Sequence, residues 1–370
     1  MSKLQELIKE LCPEGVEFRK LGEVCEIFSG KNKQKNDDGE YPVYGSTGII
    51  AYCDNYKYSK EQLLIARVGA NAGFTHIANG KYDVSDNTLI VDVVGGSCLK
   101  YIYYLLVNLN LNKYSKGGGQ PLVTAGEIKV LEIPFPPLEV QNEIVRILDT
   151  FTSHAAELQA ELQAELQARK EQYEYYRNKL LTFDENDEGV KWMKLGEICD
   201  NYDRKRKPVT ASNRKPGPYP YYGASGIVDY VESFIFDGDY LLVSEDGANL
   251  LARTTPIAFS IKGKNWVNNH AHILKFHDMC TQKYVEYYIN MIDVSQYVSG
   301  GAQPKLNQEN LNKISIPVPP LSEQQHIVSI LDKFESLVND LTTGLPAEIA
   351  AVQEQYEYYR NKLLTFERKS

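Results

Sequence analysis

The stretch EQYEYYRNKLLTF occurs at residues 171–183 and again, unchanged, at residues 354–366. The same offset of 183 residues aligns Gln120-Pro121 with Gln303-Pro304. It also aligns Ile147-Leu148-Asp149 with Ile330-Leu331-Asp332. Matched strings that recur in the same order at a long period indicate that the chain is an internal duplication.

The first part of each repeat is less similar than the second. YPVYGSTGI at 41–49 matches YPYYGASGI at 219–227, and Gly69-Ala-Asn71 matches Gly247-Ala-Asn249, with short insertions between these strings. Each repeat thus has a divergent globular part followed by a closely matched acidic segment. This pattern favours two different specificities carried on one frame, and a duplicated domain that drifts under weak constraint is the alternative.

The closely matched segments predict long amphipathic helices. Residues 138–182 favour one helix after Pro137, and three Ala-Glu-Leu-Gln tetrads fill positions 156–167. In the second copy, Gly344-Leu-Pro346 predicts a kink or break, because proline lacks the backbone donor. The residues predicted to pack the helices or to meet a partner subunit are Ile144, Leu148, Phe151, Leu158, Leu162, Leu166, Tyr173, Tyr176, Ile327, Leu331, Phe334, Tyr356 and Tyr359.

Two equal helices in one chain can bury each other's apolar stripes, and antiparallel pairing relates the repeats by a pseudo-twofold axis. The alternative is that each helix packs only on its own globular part. The predicted fold class is α+β, with two mostly-β globular domains containing short helices, joined by two long antiparallel, coiled-coil-like α-helices. The predicted domains are 1–136 and 184–319, with helical spacers at 137–183 and 320–370.

The globular parts contain short segments rich in Ile, Val, Tyr and Phe between Gly, Asn and Asp turns. These segments predict strands at Leu63–Ala66, Leu89–Val94, Tyr240–Val243 and Ile273–Phe276. Helices are predicted at Lys100–Leu109 and Gln282–Met291.

The charge distribution bears on the partner. The net charge is −9, but residues 136–190 carry 5 basic and 12 acidic side chains, and residues 319–370 carry 5 and 8. The globular parts at 1–135 and 191–318 are close to neutral, so an acidic total does not exclude DNA there. It does predict weak DNA affinity for the isolated chain.

Each globular part has a basic loop and a glycine-rich turn before Gln-Pro, which suit close approach to a phosphate backbone. A solvated charged loop is the alternative. The predicted DNA-binding residues are Lys31, Lys33, Lys35, Ser46, Arg67, Asn71, Lys116, Gln120, Arg204, Lys205, Arg206, Lys207, Arg214, Lys215, Asn249, Asn268, His270, Gln303 and Lys305. Among these, the polar side chains are candidates for contact with base edges.

Motifs for catalysis are missing. Phe135-Pro-Pro-Leu138 lacks the polar first residue of an amino-methyltransferase motif. Glu127-Ile-Lys129 has the Glu-x-Lys pattern of a nuclease motif, but the second repeat has no equivalent of it. His270-Ala-His272 could suggest a metal, but the first repeat has Asn87-Thr-Leu89 there. We therefore expect no metal, no cofactor and no catalytic residue, and we expect these histidines to lie in the core or to face DNA.

Other features indicate the compartment. No secretory signal and no long apolar run is visible, and six cysteines form no regular framework. We expect reduced thiols in a cytoplasmic protein with no membrane contact.

The order of these strings resembles the DNA-specificity subunit of type I restriction–modification enzymes. The matching strings include Leu21-Gly-Glu-Val24, Gly119-Gln-Pro121, Ile133-Pro-Phe-Pro-Pro-Leu138 and Arg146-Ile-Leu148, with their second copies, and the resemblance covers essentially the whole chain. It implies that each recognition domain reads one half of a bipartite site in double-stranded DNA. It also implies that the helices set the spacing and bind two adenine-modifying subunits, joined by translocating restriction subunits.

Two alternatives remain open for the function. One is a coiled-coil adaptor that binds protein or RNA. The other is a stand-alone nuclease or methyltransferase with degenerate motifs. Sequence-specific DNA binding together with a modification subunit would separate all three.

Overall fold

The computed structural model describes residues 2–33, 38–116, 121–300, 303–340 and 343–369. The chain forms two compact units, which we call unit 1 and unit 2. Unit 1 contains Met1–Leu162 together with Ile349–Ser370, and unit 2 contains Gln163–Glu348. The end of the chain therefore belongs to the same unit as its beginning. The four-part domain division given by the sequence is a different division, and it stays a prediction.

The recognition part of unit 1 combines two larger sheets, a two-stranded ribbon and short helices. Its elements are α1 (Lys3–Leu11), β1 (Phe18–Lys20), α2 (Leu21–Val24), β2 (Cys25–Ser29), β3 (Tyr41–Gly45), β4 (Gly48–Cys53), β5 (Gln62–Ala66), β6 (Thr75–Ala78), β7 (Asp83–Val84), β8 (Thr88–Val93), α3 (Leu99–Leu109), α4 (Ala125–Lys129) and β9 (Glu132–Pro134). The strand orders are β2-β8-β5-β6, β4-β3-β7 and β1-β9. The central strands β5 and β8 are almost entirely buried, as expected for apolar segments covered on both faces.

Helix α5 (Leu138–Leu181) is continuous, and it passes from unit 1 into unit 2 along the chain. Its bounds confirm the predicted helix at 138–182, and it begins directly after Pro137.

The recognition part of unit 2 repeats this plan. Its elements are β10 (Lys191–Lys194), α6 (Leu195–Ile198), β11 (Asp200–Asn201), β12 (Pro216–Gly223), β13 (Gly226–Val231), β14 (Phe236–Asp237), β15 (Tyr240–Ser244), α7 (Asn249–Ala252), β16 (Ala258–Ile261), β17 (Lys264–Val267), β18 (Ala271–Lys275), α8 (Met279–Met291), α9 (Gln308–Asn312) and β19 (Ser315–Val318). The strand orders are β11-β18-β15-β16, β13-β12-β17-β14 and β10-β19. The predicted strands and helices are confirmed, with bounds that differ by one to three residues at some ends.

The second closely matched segment forms two helices, α10 (Leu321–Asn339) and α11 (Leu345–Leu364). The interruption before Pro346 confirms the predicted break. In unit 1, Thr152 on α5 contacts Tyr356 on α11, while Gln159 contacts Gln353. As the residue number increases along α5, the number of the contacting residue on α11 decreases, so these two helices are antiparallel within unit 1.

Equivalent hydrogen bonds join helix and sheet in the two units. The Tyr101 hydroxyl donates to the Pro134 carbonyl at 3.1 Å, and the Tyr284 hydroxyl donates to the Pro317 carbonyl at 2.8 Å. All four residues are related by the offset of 183, so the duplication extends to individual buried contacts.

Candidate nucleic-acid interface

In unit 1, three segments that are distant in sequence meet at the carboxyl end of β5. The backbone nitrogen of Arg67 donates to the Asn87 carbonyl at 2.9 Å, and the Val123 nitrogen donates to the Arg67 carbonyl at 2.9 Å. The Gly69 nitrogen donates to the Pro121 carbonyl at 3.0 Å. We call this arrangement of segments the loop frame.

The same loop frame recurs in unit 2 at the carboxyl end of β15. The Glu245 nitrogen donates to the His270 carbonyl at 2.9 Å, and the Leu306 nitrogen donates to the Glu245 carbonyl at 2.8 Å. The Gly247 nitrogen donates to the Pro304 carbonyl at 3.1 Å. Because only backbone atoms form these bonds, the side chains on the frame are free to differ between the units.

The loop frame of unit 1 brings together three of the predicted site residues. The Ser46 hydroxyl donates to the Asn87 carbonyl at 2.6 Å, and the Asn71 amide donates to the Ser46 carbonyl at 3.3 Å. The Arg67 guanidinium donates to the Asp86 carbonyl at 3.3 Å. Asn71 is exposed, whereas Ser46 and Arg67 are half-buried.

At the position of Arg67, unit 2 has Glu245, which belongs to a partly buried ion network. An Nη1 atom of Arg206 lies 2.5 Å from Glu245 Oε2, and Lys305 Nζ lies 3.1 Å from Glu245 Oε1. His272 Nδ1 lies 2.5 Å from Asp203 Oδ2. Burial is the largest single influence on Asp203 and raises its pKa, but the hydrogen bond and charge of His272, the Ile273 backbone N–H and the charge of Arg206 together outweigh it. The pKa of this carboxyl therefore lies below its ordinary value.

The structure places the Arg206 side chain differently from the sequence-based prediction. It was predicted within a flexible basic loop, but its side chain is only 13% exposed and donates to the Ala271 carbonyl at 2.8 Å as well as to Glu245. The planar guanidinium can bridge several acceptors at once, which explains its burial. The neighbouring Arg204, Lys205 and Lys207 are exposed, and Lys205 Nζ lies 4.0 Å from the centre of the Tyr202 ring.

Asp203, Glu245 and His272 offer ligand atoms that lie within 4.8 Å of one another, the spacing of a metal site. Arg206 and Lys305 already contact the two carboxylates. With two cations in place, the cluster is satisfied as an ion network, so we assign it a structural role. His272 is buried, as expected for a core histidine.

The second histidine points outward beside an acidic residue. His270 is exposed, and its Nδ1 lies 2.9 and 3.0 Å from the two carboxylate oxygens of Asp246. Asn268 was also predicted to contact DNA, but it is buried, and its side-chain oxygen accepts from the His270 nitrogen at 2.8 Å. Asn268 is therefore placed to hold the backbone that presents His270.

Asn249 uses its amide within its own loop. Its side-chain oxygen accepts from the Thr255 nitrogen at 3.1 Å, and its side-chain nitrogen donates to the Thr255 carbonyl at 3.0 Å. The Thr254 hydroxyl also donates to the same side-chain oxygen at 2.9 Å, so a bidentate base contact by Asn249 would require bonds of this loop to break. Arg214 is likewise engaged, since it lies 4.4 Å from the centre of the Tyr221 ring and donates to the Val209 carbonyl at 3.1 Å.

The remaining predicted cations and amides lie at the surface where the structure describes them. Lys31, Lys33, Lys116, Lys215, Gln303 and Lys305 are exposed. Lys116 pairs with Glu127 at 2.7 Å, and Lys215 pairs with Glu232 at 3.2 Å. Lys35 and Gln120 lie outside the described residues. Glu127 also caps α4 through Thr124, a structural use for the acid of the possible nuclease motif.

The predicted helix-packing residues fall into buried, half-buried and exposed groups. Ile144, Leu148, Ile327 and Leu331 are buried in the cores of the recognition parts. The half-buried residues are Leu162, Leu166, Tyr173, Phe334 and Tyr356, and the exposed ones are Phe151, Leu158, Tyr176 and Tyr359. The stripes were expected to bury each other, but the exposed group leaves apolar surface on α5 and α11.

Two exposed tyrosines on these helices were missed. Tyr175 and Tyr358 are 60% and 61% exposed, and each lies 5.3 Å, centre to centre, from the ring of the next tyrosine. Their occurrence in the identical stretches 171–183 and 354–366 was the available signal. The ion network of unit 2 had a weaker signal, namely the alignment of Arg67 with Glu245.

Within the described residues, no helix combines the length and the apolar character needed to cross a membrane.

Comparison with known proteins gives a consistent result. The profile of the type I restriction modification DNA specificity domain matches twice, at residues 13–168 and 187–351. A putative type I restriction enzyme specificity subunit of Haemophilus influenzae, S.HindORF215P, is 33% identical over 95% of this chain and 96% of its own length. The EcoR124I/EcoR124II specificity subunit of Escherichia coli is 31% identical over 99% of this chain and 98% of its own.

Solved structures show the same fold. A chain from a study of complex assembly and conformational transition in a type I restriction–modification system aligns with a TM-score of 0.68 and 17% identity, covering 95% of this chain and 98% of its own. The HsdS subunit of Thermoanaerobacter tengcongensis aligns with a TM-score of 0.54 and 17% identity, covering 96% of each chain. The chain therefore belongs to the type I restriction–modification DNA specificity family, and it works on DNA as one subunit of a restriction–modification assembly.

Proposed function

We propose that each recognition part reads one half of a bipartite, asymmetric site in double-stranded DNA, and that the chain itself carries out no chemistry. The observation that supports this most strongly is the loop frame, which has the same backbone hydrogen bonds in both units but different side chains. Sequence is read by side chains at base edges, whereas a shared backbone only holds them in place. Two frames with unlike side chains are therefore suited to two different half-sites.

The proposed contacts divide by exposure and chemistry. Exposed cations in the basic loops, such as Lys31, Lys33 and Lys205, are proposed to contact phosphates. Arg67 and His270 are proposed to contact base edges, because they occupy the loop frames and present donors or acceptors. We propose that Arg206, Asn249 and Asn268 act indirectly by holding these loops, since their polar atoms are already bonded within the chain.

We further propose that the tyrosine pairs on the helices dock two identical modification subunits, which carry S-adenosylmethionine chemistry on adenine. Tyr175-Tyr176 and Tyr358-Tyr359 lie in identical stretches and have nearly equal exposure. Exposed aromatic residues are enriched at protein interfaces, and two copies of one surface suit two copies of one partner. Translocating restriction subunits would join this complex, and its DNA target implies a cytoplasmic location.

Methylome sequencing tests this proposal. The chain is co-expressed with its modification subunit in a host that lacks other adenine methylation. We expect one bipartite methylated motif. Arg67→Ala is expected to relax only one half-site and His270→Ala only the other, with Lys9→Ala, an exposed change on α1, as the control. The absence of any chain-dependent motif would contradict the proposal and favour the adaptor alternative.

The tetrads at 156–167 suggest how the spacing is set. All of these residues are helical within α5, and four residues of helix correspond to about 6 Å, close to two base-pair steps of about 3.4 Å. We propose that deletion of residues 160–163 shortens the spacer and leaves both half-sites unchanged. Glu161→Lys, which keeps the length, serves as the control. An unchanged spacer after the deletion would contradict the proposal that the tetrads set the spacing between the half-sites.

A further inference from the structure

The hairpin loop between β5 and β6 carries an unusually exposed aromatic side chain. Phe74 is 62% exposed, although its backbone is tightly held. The Ala66 nitrogen donates to the Phe74 carbonyl at 2.8 Å, and the Phe74 nitrogen donates to the Asn71 carbonyl at 2.9 Å. A large apolar side chain on a fixed loop keeps its exposed position without the entropy cost of ordering a flexible one.

The loop is also held by the turn that follows α3. The Asn112 side chain donates to the Ala72 carbonyl at 2.9 Å. Gly73 has a φ of +91°, and a Cβ atom there would lie 2.4 Å from the Asn112 backbone nitrogen. Only glycine fits this close approach, so the sequence Gly73-Phe74 fixes the direction in which the aromatic ring leaves the loop.

The ring of Phe74 is supported on one side by other rings. His76 stacks with it at 6.0 Å between ring centres and 27° between planes, and Tyr44 lies 5.4 Å from His76. Burial lowers the pKa of His76, and neither ring nitrogen has a hydrogen-bond partner among the described residues. The histidine is therefore neutral near pH 7, and the group forms an apolar aromatic platform.

The surroundings of Phe74 suit nucleic acid. The loop segment 67–75 contains Arg67 and no acidic residue, and the exposed Lys113 lies in the adjacent turn Leu111–Tyr114. Asn71, a candidate for base contact, is three residues away. The equivalent hairpin of unit 2, between β15 and β16, also exposes an apolar side chain, Leu251, which is 51% exposed.

We propose that Phe74 is a wedge that inserts between base pairs of the first half-site, and that Leu251 does the same, less strongly, at the second. Apolar side chains such as Phe and Leu are known to enter base steps and partly unstack them. This inference rests on the proposed DNA recognition and adds DNA distortion to it. An unstacked step near the target lowers the cost of extruding the adenine that the modification subunit must reach.

The test uses the complete complex with its modification subunit and a duplex that carries the methylome-defined site. Phe74→Ala is expected to weaken binding roughly 5- to 150-fold, the range for loss of one stacked base. The salt dependence of binding should stay unchanged, because no charge is removed. Leu251→Ala should have a smaller effect, since leucine has no aromatic face, and Phe74→Trp should bind like the wild type.

A second readout separates the wedge from a general binding defect. 2-Aminopurine replaces in turn each adenine, on either strand, in and next to the first half-site, where its fluorescence reports unstacking. We expect strong fluorescence at one position other than the target adenine. Phe74→Ala should abolish the fluorescence at that position and leave the fluorescence at the target adenine unchanged. Val130→Ala, which removes an apolar side chain that is 61% exposed and outside the loop, is the control.

If the wild-type complex binds its site, and Phe74→Ala leaves both the affinity and the fluorescence pattern unchanged, the wedge proposal is overturned. If the wild-type complex shows no sequence-specific binding, the proposed function itself fails. Thermal unfolding of Phe74→Ala and Phe74→Trp should match that of the wild type, because the Phe74 ring lies mostly in solvent.

Discussion

The two loop frames share their backbone and differ in their charges. In unit 1 the central position is Arg67, whose guanidinium contacts only a backbone carbonyl among the described hydrogen bonds and ion pairs. In unit 2 the same position is Glu245, surrounded by Arg206, Lys305 and His272. The difference teaches that the duplication preserved the hydrogen bonds that position the loops, while the side chains on them changed even in sign.

The ion network of unit 2 offers the largest effect. Arg206→Ala leaves the buried carboxylates of Asp203 and Glu245 without their guanidinium partner, so unit 2 should lose about 3–5 kcal/mol of stability. Both tryptophans, Trp192 and Trp266, lie in unit 2, so urea unfolding followed by tryptophan fluorescence reports this unit alone. Lys205→Ala, an exposed neighbouring change, should shift the midpoint little. Equal midpoints for the two variants would show that the network is not stabilising.

The second prediction concerns a contact that the units share. The Tyr104 hydroxyl donates to Asp149 at 2.7 Å, and the Tyr287 hydroxyl donates to Asp332 at 2.6 Å. Tyr104→Phe and Tyr287→Phe should each destabilise their own unit by about 1–2 kcal/mol. Hydrogen exchange of α3 and α8 measures the two losses separately. A large loss in one unit and none in the other would break the equivalence.

The third prediction concerns the stability of α1 at acidic pH. Glu143 holds α1 through Lys3 at 3.0 Å and also pairs with Arg146 at 2.7 Å. The hydrogen bonds from Arg146 and then Lys3 lower the pKa of Glu143 to about 2 from its ordinary 4.5. Because the folded pKa is lowered, this stabilisation is complete above about pH 4.5 and is lost as the pH falls towards about 2.

Glu143→Gln should remove this pH dependence from α1. Hydrogen exchange of residues 3–11, corrected for the intrinsic rate at each pH, measures it. The offset of 183 places the exposed His326 at this position in unit 2, so His326→Gln is the matched control and should change nothing in α1. Equal acid sensitivity of the wild type and Glu143→Gln would contradict this assignment.

The smallest expected effect concerns two lysines on equivalent backbone bridges. Lys116 pairs with Leu122 in unit 1, and Lys305 pairs with Ser299 in unit 2, so the lysine lies on opposite sides of the same bridge. If each lysine exchanges its carboxylate partner, Glu127 or Glu245, for one phosphate when DNA binds, Lys116→Ala and Lys305→Ala should each reduce the slope of log K against log salt by about 1. The DNA motif that is methylated in the presence of either variant should not change. Lys9→Ala, on α1, should leave the slope as it is.

The repeat determined most of the architecture in advance. Identical stretches at 171–183 and 354–366 established the duplication, the run after Pro137 predicted α5, and Gly344-Leu-Pro346 predicted the break between α10 and α11. Apolar runs predicted the central strands. These features depend on local propensity and periodicity, which act over a few residues and can be read directly from the chain.

The site was only partly readable. The sequence identified Ser46, Arg67 and Asn71 as candidates, and the structure brings them together; whether they contact DNA stays a prediction. It could not show that Arg206, although it stands in a basic run, turns inward to Glu245, 39 residues away. Nor could it show that Phe74 is left in solvent while nearby Tyr44 is half-buried.

The sequence by itself thus determined the duplication, the helices, the strands and the family. Only the tertiary structure decided which charges are compensated internally and which apolar side chains remain uncovered. The physical reason is that propensity depends on neighbours in the chain, whereas ion pairing and burial depend on segments that meet in space, and residues of the same type can be satisfied or exposed according to that meeting.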